Sequence, residues 1–243
     1  MSGEGPWVEK RLAWLERAKG LRPEAVDVSI SLTAPGGAGA KNRHGMPSLP
    51  PGQHLVENWP VLDLGHQPSM ASSDWRLEVC GEVERPVILT WGDLMSLPQV
   101  EVASDFHCVT SWTRLGLKWE GVLFSRLCEE VIPTSRAHFV ATQGADREPG
   151  SGRPYTTSLT LEDSLAPDVM LAHSCEGAPL TSEHGGPVRM ITPRQYAWKG
   201  SRWIERVEFL SEDRLGYWEE RGYSNTALPW LEDRFSSQGG EDE

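Results

Sequence analysis

The chain has 243 residues, 38% of them hydrophobic and 24% charged, enough for one large or two small globular domains with a sizeable core. Its net charge of −12 excludes a general nucleic-acid or anionic-membrane binder and still leaves room for one local basic pocket. No apolar run is long enough to span a membrane, and Met1-Ser2-Gly3-Glu4-Gly5-Pro6 lacks the marks of a signal peptide or twin-arginine leader, which predicts a cytoplasmic protein.

Residues 6–21 predict an amphipathic helix. Val8, Leu12 and Leu15 follow the i, i+4, i+7 spacing, Trp7, Trp14 and Ala18 widen the stripe, and Glu9, Lys10, Arg11, Glu16 and Arg17 give the polar side. Docking on its own domain is the default for such a helix, and Pro23 helps to end it. Residues 31–51 turn to Gly, Ala, Pro and Ser around the basic insert Lys41-Asn42-Arg43-His44 and read as a loop or linker. The insert is either a solvated face or an arm over an anionic ligand.

The alternation in Trp75-Arg76-Leu77-Glu78-Val79 predicts a half-buried strand. Thr90-Trp91-Gly92-Asp93 has the capping-box pattern and opens a short helix over 94–97, closed by Pro98. A strand follows over 100–109, then a turn and helix over 121–131 stopped by Pro133, a strand over 137–142, and a Gly- and Pro-rich loop over 144–154. Thr160-Leu161-Glu162-Asp163 repeats the capping pattern. Strands over 169–172, 187–192 and 203–210 follow, with a polar loop over 180–186.

Short strands interleaved with short helices predict an α+β fold with β-rich sheets, not a doubly wound parallel one. Neither GxGxxG nor GxxxxGK[ST] occurs, so neither a dinucleotide fold nor a P-loop is supported. The acidic end, Gly239-Gly240-Glu241-Asp242-Glu243, reads as disordered. The expected division is a helix and linker over 1–40, a domain over 41–230 and an acidic tail over 231–243.

Four cysteines, at 80, 108, 128 and 175, are too scattered for a disulfide framework or a zinc pattern. Cys80 and Cys128 read as core packing. Cys108 has unusual company. Asp105-Phe106-His107-Cys108-Val109-Thr110-Ser111-Trp112, then Arg114 and Trp119-Glu120-Gly121-Val122, put a thiol among a histidine, hydroxyls, an arginine and two tryptophans. Local composition alone leaves a plain buried cysteine open. A thiol-protease pairing with His173 or His184 lacks its local signature, and there is no GxSxG elbow.

Three more clusters bear on chemistry. In His184-Gly185-Gly186-Pro187-Val188-Arg189, glycines permit close backbone approach and the arginine suits an anion such as phosphate; the alternative is an ordinary turn into a strand. Tyr196-Ala197-Trp198-Lys199-Gly200-Ser201-Arg202-Trp203 sets two cations beside a glycine and a serine, or is a solvated turn. Tyr155, in a loop, can hydrogen-bond an oxyanion or simply pack.

Taken in order, Phe106-His107-Cys108-Val109-Thr110-Ser111-Trp112, Trp119-Glu120-Gly121-Val122, the 184–189 cluster, Lys199-Gly200-Ser201-Arg202-Trp203-Ile204 and the closing Gly216-Tyr217-Trp218-Glu219 resemble the sulfite oxidase-type molybdopterin family over roughly residues 45–225. That resemblance implies the family's β-rich α+β fold. It also implies a molybdenum–molybdopterin cofactor, its metal held by a pterin dithiolene and the Cys108 thiolate, a soft donor suited to the ion. By the same resemblance His184, Arg189 and Arg202 hold the pterin phosphate with the backbone of Gly200 and Ser201. Asn42, His44 and Gln143 join the cofactor site, Tyr155 lies near the transferring oxygen, and Arg114 is the substrate cation.

Departures narrow the expectation. Animal members carry paired arginines just after the cysteine, whereas Arg114 is the only cation here, which argues against sulfite. The resemblance is closer to short, single-domain bacterial members, some of them exported. Those members carry a basic residue before Leu-Pro-Pro-Gly-Gln; here Ser48 precedes Leu49-Pro50-Pro51-Gly52-Gln53, and Arg43 is the nearest substitute. The expected activity is two-electron oxygen-atom transfer on a small oxyanion or sulfoxide, with electrons exchanged through a separate redox carrier protein. The rival expectation is a non-catalytic binding module that keeps the fold. The joint presence of Cys108, Tyr155, Arg189 and Arg202 favours the enzyme.

Overall fold

The computed structural model describes residues 5–21 and 36–236. Pro23, the opening residues of the chain and the acidic residues after 236 lie outside the described residues.

Helix α1 spans Gly5–Leu21. Where composition predicts a loop, β1 (Ala38–Lys41) and β2 (Pro47–Leu49) pair as an antiparallel hairpin. Asn42 makes the turn, its Oδ1 accepting from the main-chain amides of His44 at 2.9 Å and Met46 at 3.1 Å. Then follow β3 (His54–Leu55), β4 (Arg76–Gly81), β5 (Val87–Thr90), α2 (Trp91–Ser96), β6 (Val100–His107), β7 (Trp112–Leu123) and α3 (Phe124–Val131). The rest comprises β8 (Phe139–Arg147), β9 (Pro154–Thr160), α4 (Leu161–Ser164), β10 (Met170–Cys175), β11 (Ala178–Pro179), β12 (Arg189–Ile191) and β13 (Ile204–Leu210).

Two sheets carry the domain. One has the order β11-β10-β7-β3, with β12 also pairing β10 and β6 pairing β7; the other runs β5-β4-β13-β8-β9. Only β3 with β7 and β4 with β13 are parallel among these pairs. The architecture is β-rich α+β, as the short interleaved elements predict. Both threonines cap, Asp93 N donating to Thr90 Oγ1 at 3.2 Å and Asp163 N to Thr160 Oγ1 at 3.0 Å, and the reciprocal bond of a capping box forms at Thr90, whose amide donates to Asp93 Oδ2 at 2.8 Å, but not at Thr160.

Two elements differ from expectation for physical reasons. Gly121 reads as a turn, yet lies inside the twelve-residue β7. A Cβ there would stand 2.0 Å from the Leu171 carbonyl oxygen, so glycine serves the close approach of β10. Residues 144–147, expected in a loop, extend β8, which pairs with the unpredicted β9.

The main core joins Trp75, just before β4, and Leu77, Val79, Val207 and Phe209 of the five-stranded sheet with Leu127, Cys128 and Val131 of α3. Cys128 is core as expected, while Cys80 is only half-buried because it points to the opposite face of β4 from Leu77 and Val79. A second cluster, Leu117, Trp119, Met170 and Ile191 with Trp59 and Phe106 against it, backs the site.

Helix α1 docks on this domain through a different face from the one its leucines suggest. Trp14 and Ala18 are buried, whereas Val8 and Leu12 point outward at 53% and 58% exposure. Arg17 fixes the orientation by donating to the carbonyls of Thr134 and Ala137. At the other end, residues of the expected tail also pack on the domain: Tyr223 bridges to Phe235 and Arg234 donates to the Val109 carbonyl. Among the described residues no helix is long and apolar enough to cross a membrane.

Candidate active site

Cys108 sits where β6 turns into β7. Its amide donates to the Trp112 carbonyl at 2.9 Å, and the Ser111 amide returns to its carbonyl at 3.1 Å. Ser111 adopts φ 74 to make that turn. The thiol faces a cavity of about 320 Å³ and lies 3.2 Å from Thr110 Oγ1. Burial pushes the thiol up, so as a free group it keeps its proton at neutral pH.

The 184–189 cluster reaches the same cavity. Arg189, at the start of β12, is buried with its guanidinium 5.6 Å from the Trp59 ring and 5.2 Å from the Phe106 ring. Its Nη1 donates to the His184 carbonyl at 2.9 Å and its Nε has no partner. Burial, reinforced by Arg202, pushes it down to about 9, and it remains a cation at neutral pH. The His184 ring stacks on Trp59 at 3.9 Å between centroids, and burial lowers its pKa. Gly185, at φ +93, lets the chain pass Arg202, because a Cβ there would meet the Arg202 side chain at 2.7 Å.

Gly200 and Arg202 form another wall. Arg202 lies over the Trp203 ring at 4.7 Å, and burial lowers its pKa while Asp146 opposes the shift. Lys199, the other cation of that cluster, turns away: it is fully buried, with Nζ 2.6 Å from Glu219 Oε1 and 3.2 Å from Asn225 Oδ1. Tyr155, on β9 and not in a loop, is buried in the cavity wall and donates its hydroxyl proton to the Trp198 carbonyl. Burial raises its pKa far above the ordinary phenol range.

Thus Cys108, Tyr155, His184, Arg189, Gly200 and Arg202 meet in one cavity. The other expected residues do not line it. Ser201 is buried behind the wall, its hydroxyl 2.7 Å from Thr142 Oγ1. Gln143 faces a separate charged groove on the five-stranded sheet and donates to Glu205 at 2.6 Å. Asn42 spends its side chain on its own turn, and His44 faces Asp168, with Nε2 2.7 Å from Oδ2. Arg43 lies 3.8 Å from the same carboxylate, so it does not stand in for a cavity cation. Arg114 is half-buried on β7 outside the lining. His173 is tied to Gln99 and Ser174, away from Cys108.

Residues 59–64, Asp146, Trp198, Trp218 and Tyr223 also line the walls. Sequence reasoning missed the 59–64 segment because its apolar residues follow no helical or strand period. The only signal was a tryptophan and three aliphatic residues in an otherwise irregular stretch.

The donor chemistry suits a metal-bearing anionic cofactor. One thiol faces two cations that, among the described residues, have no carboxylate within ion-pair distance, and Arg189 Nε, Asp146 Oδ1 and Trp198 Nε1 are buried without partners among those residues. Among the described residues no three His, Cys, Asp or Glu side chains converge to hold an ion unaided. Cys108 is therefore suited to be a single protein ligand completed by a cofactor's own donors.

The family described as oxidoreductase molybdopterin binding domain matches residues 64–218. The Bacillus subtilis (strain 168) protein named uncharacterized oxidoreductase YuiH is 36% identical over 189 residues, which cover 77% of this chain and 92% of that protein. The protein-methionine-sulfoxide reductase catalytic subunit MsrP of Campylobacter jejuni is 29% identical over 158 residues, 61% of this chain and 53% of MsrP. The chain thus spans about half the length of that relative. Sulfane dehydrogenase SoxCD from Paracoccus pantotrophus has the same fold, with a TM-score of 0.53 at 20% identity, over 78% of this chain and 60% of that one. The matched segment holds Cys108, Tyr155, Arg189 and Arg202, and the chain belongs to the molybdopterin-binding oxidoreductase family, a family of enzymes.

Proposed function

We propose that the protein is a molybdenum–molybdopterin enzyme that reduces a sulfoxide carrying apolar substituents by two-electron oxygen-atom transfer, drawing electrons from a separate one-electron carrier protein. The observation that carries this reading is the meeting of the Cys108 thiol, Tyr155 and the Arg189 and Arg202 guanidinium groups in one cavity.

In this reading Cys108 loses its proton to become the protein's thiolate ligand to the metal. Arg189, Arg202 and the Gly200 backbone hold the anionic phosphate end, and His184 buttresses Arg189 through its carbonyl. When bound, the cofactor supplies the two-electron redox chemistry and the site of oxygen exchange. Tyr155 swings its hydroxyl from the Trp198 carbonyl to the substrate oxygen and orients it.

A sulfoxide is favoured over a small oxyanion for two reasons. Val61, Leu62, Val109, Trp218 and Tyr223 line the cavity while remaining partly exposed, which gives it an apolar mouth. Arg114, the cation expected to hold an oxyanion, is not in that lining.

The test is metal analysis of protein purified from a molybdate-supplied host, with sulfoxide reduction assayed using a reduced viologen dye. The expected result is one molybdenum per chain and turnover, both lost in Cys108→Ser. Full activity in that variant would remove the ligand assignment, and wild-type protein without molybdenum would sink the whole reading.

A further inference from the structure

Asp146 has no part in the assignments above. It lies near the end of β8, is 1% exposed, lines the Cys108 cavity, and leaves Oδ1 without a partner. Tyr155, on the neighbouring strand β9, lines the same cavity, and the β8–β9 pairing is bulged between Gln143 and Arg147, where Asp146 lies.

The groups facing Asp146 are Arg202, Arg147, Asp63 and Tyr155. Arg147 is engaged by Glu205 and by the Gly144 and Asp146 carbonyls. Asp63 accepts from Gly65 N and Gln67 Nε2, bonds that hold it below the usual carboxylate range. Glu183, the remaining carboxyl in the lining, has a half-exposed side chain. For Asp146, burial outweighs the attraction of Arg202 and pushes the carboxyl up to about 6. Of the three carboxyls in the wall it is the buried one, and it carries a proton in most molecules below about 6 and in a minority of them at neutral pH.

We propose that Asp146 is the proton donor to the oxygen that leaves the substrate, an assignment that rests on the sulfoxide-reductase reading. Reduction of a sulfoxide breaks the S–O bond and forms two O–H bonds, consuming two electrons and two protons to give a thioether and water. Two encounters with the one-electron carrier supply the electrons. One proton comes from the Asp146 carboxyl and the other from solvent, which then reprotonates Asp146. Tyr155 is not the source: burial raises its affinity for its own proton, so it orients the oxygen by a hydrogen bond without releasing that proton.

The experiment compares wild type, Asp146→Asn and Asp146→Glu holoenzymes reducing methyl p-tolyl sulfoxide with reduced benzyl viologen. Asp146→Asn should lower kcat about 100-fold or more with KM nearly unchanged and molybdenum content intact, and should abolish the fall in rate as pH rises through about 6. Asp146→Glu should recover part of the rate. Infrared difference spectra of cofactor-free protein should show a protonated carboxyl C=O stretch that titrates near pH 6 and is missing in Asp146→Asn. An unchanged pH–rate profile in Asp146→Asn, or no titrating carboxyl band in wild type, overturns the assignment. The infrared measurement needs neither metal nor substrate, so its failure is distinct from a molybdenum-free wild type, which overturns the reading beneath.

Discussion

Gln53 donates from Nε2 to the Cys108 carbonyl at 3.1 Å while its Oε1 accepts from Thr113 Oγ1 at 3.2 Å. Having given its proton to Gln53, the Thr113 hydroxyl accepts from His107 Nδ1 at 2.9 Å, which places the histidine's proton on Nδ1. Burial holds His107 at about 3, so it stays neutral and the chain of bonds is unchanged through the physiological range. Replacing Gln53 with Leu strands the Thr113 donor and removes one of two bonds to the Cys108 carbonyl. Urea unfolding should show a loss of about 2 kcal/mol, and the Ser111 amide should exchange faster with solvent.

Arg189 offers opposite signs for two measurements. Among the described residues no carboxylate pairs with its buried charge, so in cofactor-free protein Arg189→Met should raise stability by about 1 kcal/mol or more in thermal unfolding. The same change removes a charge-assisted contact to the anionic group, and molybdenum retained after dialysis should fall about tenfold or more. A variant that loses stability and keeps its metal would contradict both expectations.

For α1, Trp14 and Leu12 separate the two faces. Trp14→Ala should destabilise by about 3 kcal/mol or more and expose the helix to limited proteolysis. Leu12→Ala, on the outward face, should fall within about 0.5 kcal/mol of wild type.

The raised Asp146 carboxyl makes stability depend on pH in a stated direction. An unfolded carboxyl ionises near 3.8 and the folded one near 6, so the unfolded state binds fewer protons between them. Its contribution to stability is therefore full below about 4 and is lost as pH rises through about 6. Asp146→Asn should stabilise cofactor-free protein at pH 8, by at most about 3 kcal/mol, and should have little effect near pH 4. Melting temperatures at the two pH values check this.

The parts of the fold legible in the sequence are those fixed by local chemistry. The Thr90 and Thr160 caps, the 75–79 alternation and the α+β pattern all rest on neighbouring residues, and they stand where local rules put them. The misread parts depend on partners distant in the chain. Gly121 is explained by β10, the buried face of α1 by the surface it meets, and Gln143 by Glu205. In the site, the motifs around Cys108, Arg189 and Arg202 were visible because each concentrates chemical types within a few residues. Trp59 and Asp146 were not, since only the folded chain brings a lone tryptophan and a lone carboxyl to that cavity.

The walls of the cavity are drawn from positions 59 through 223, and β13, between β4 and β8, is the last strand of its sheet. A ribosome finishes the Cys108 turn well before it makes Arg189, Arg202 or Tyr223. The thiol therefore exists for a time without the groups that would recognise an anion beside it, and the complete cavity is a property of the folded chain. A ligand that only this finished state binds deepens its stability by mass action. Molecules lacking such a ligand are then the ones expected to be cut first in limited proteolysis.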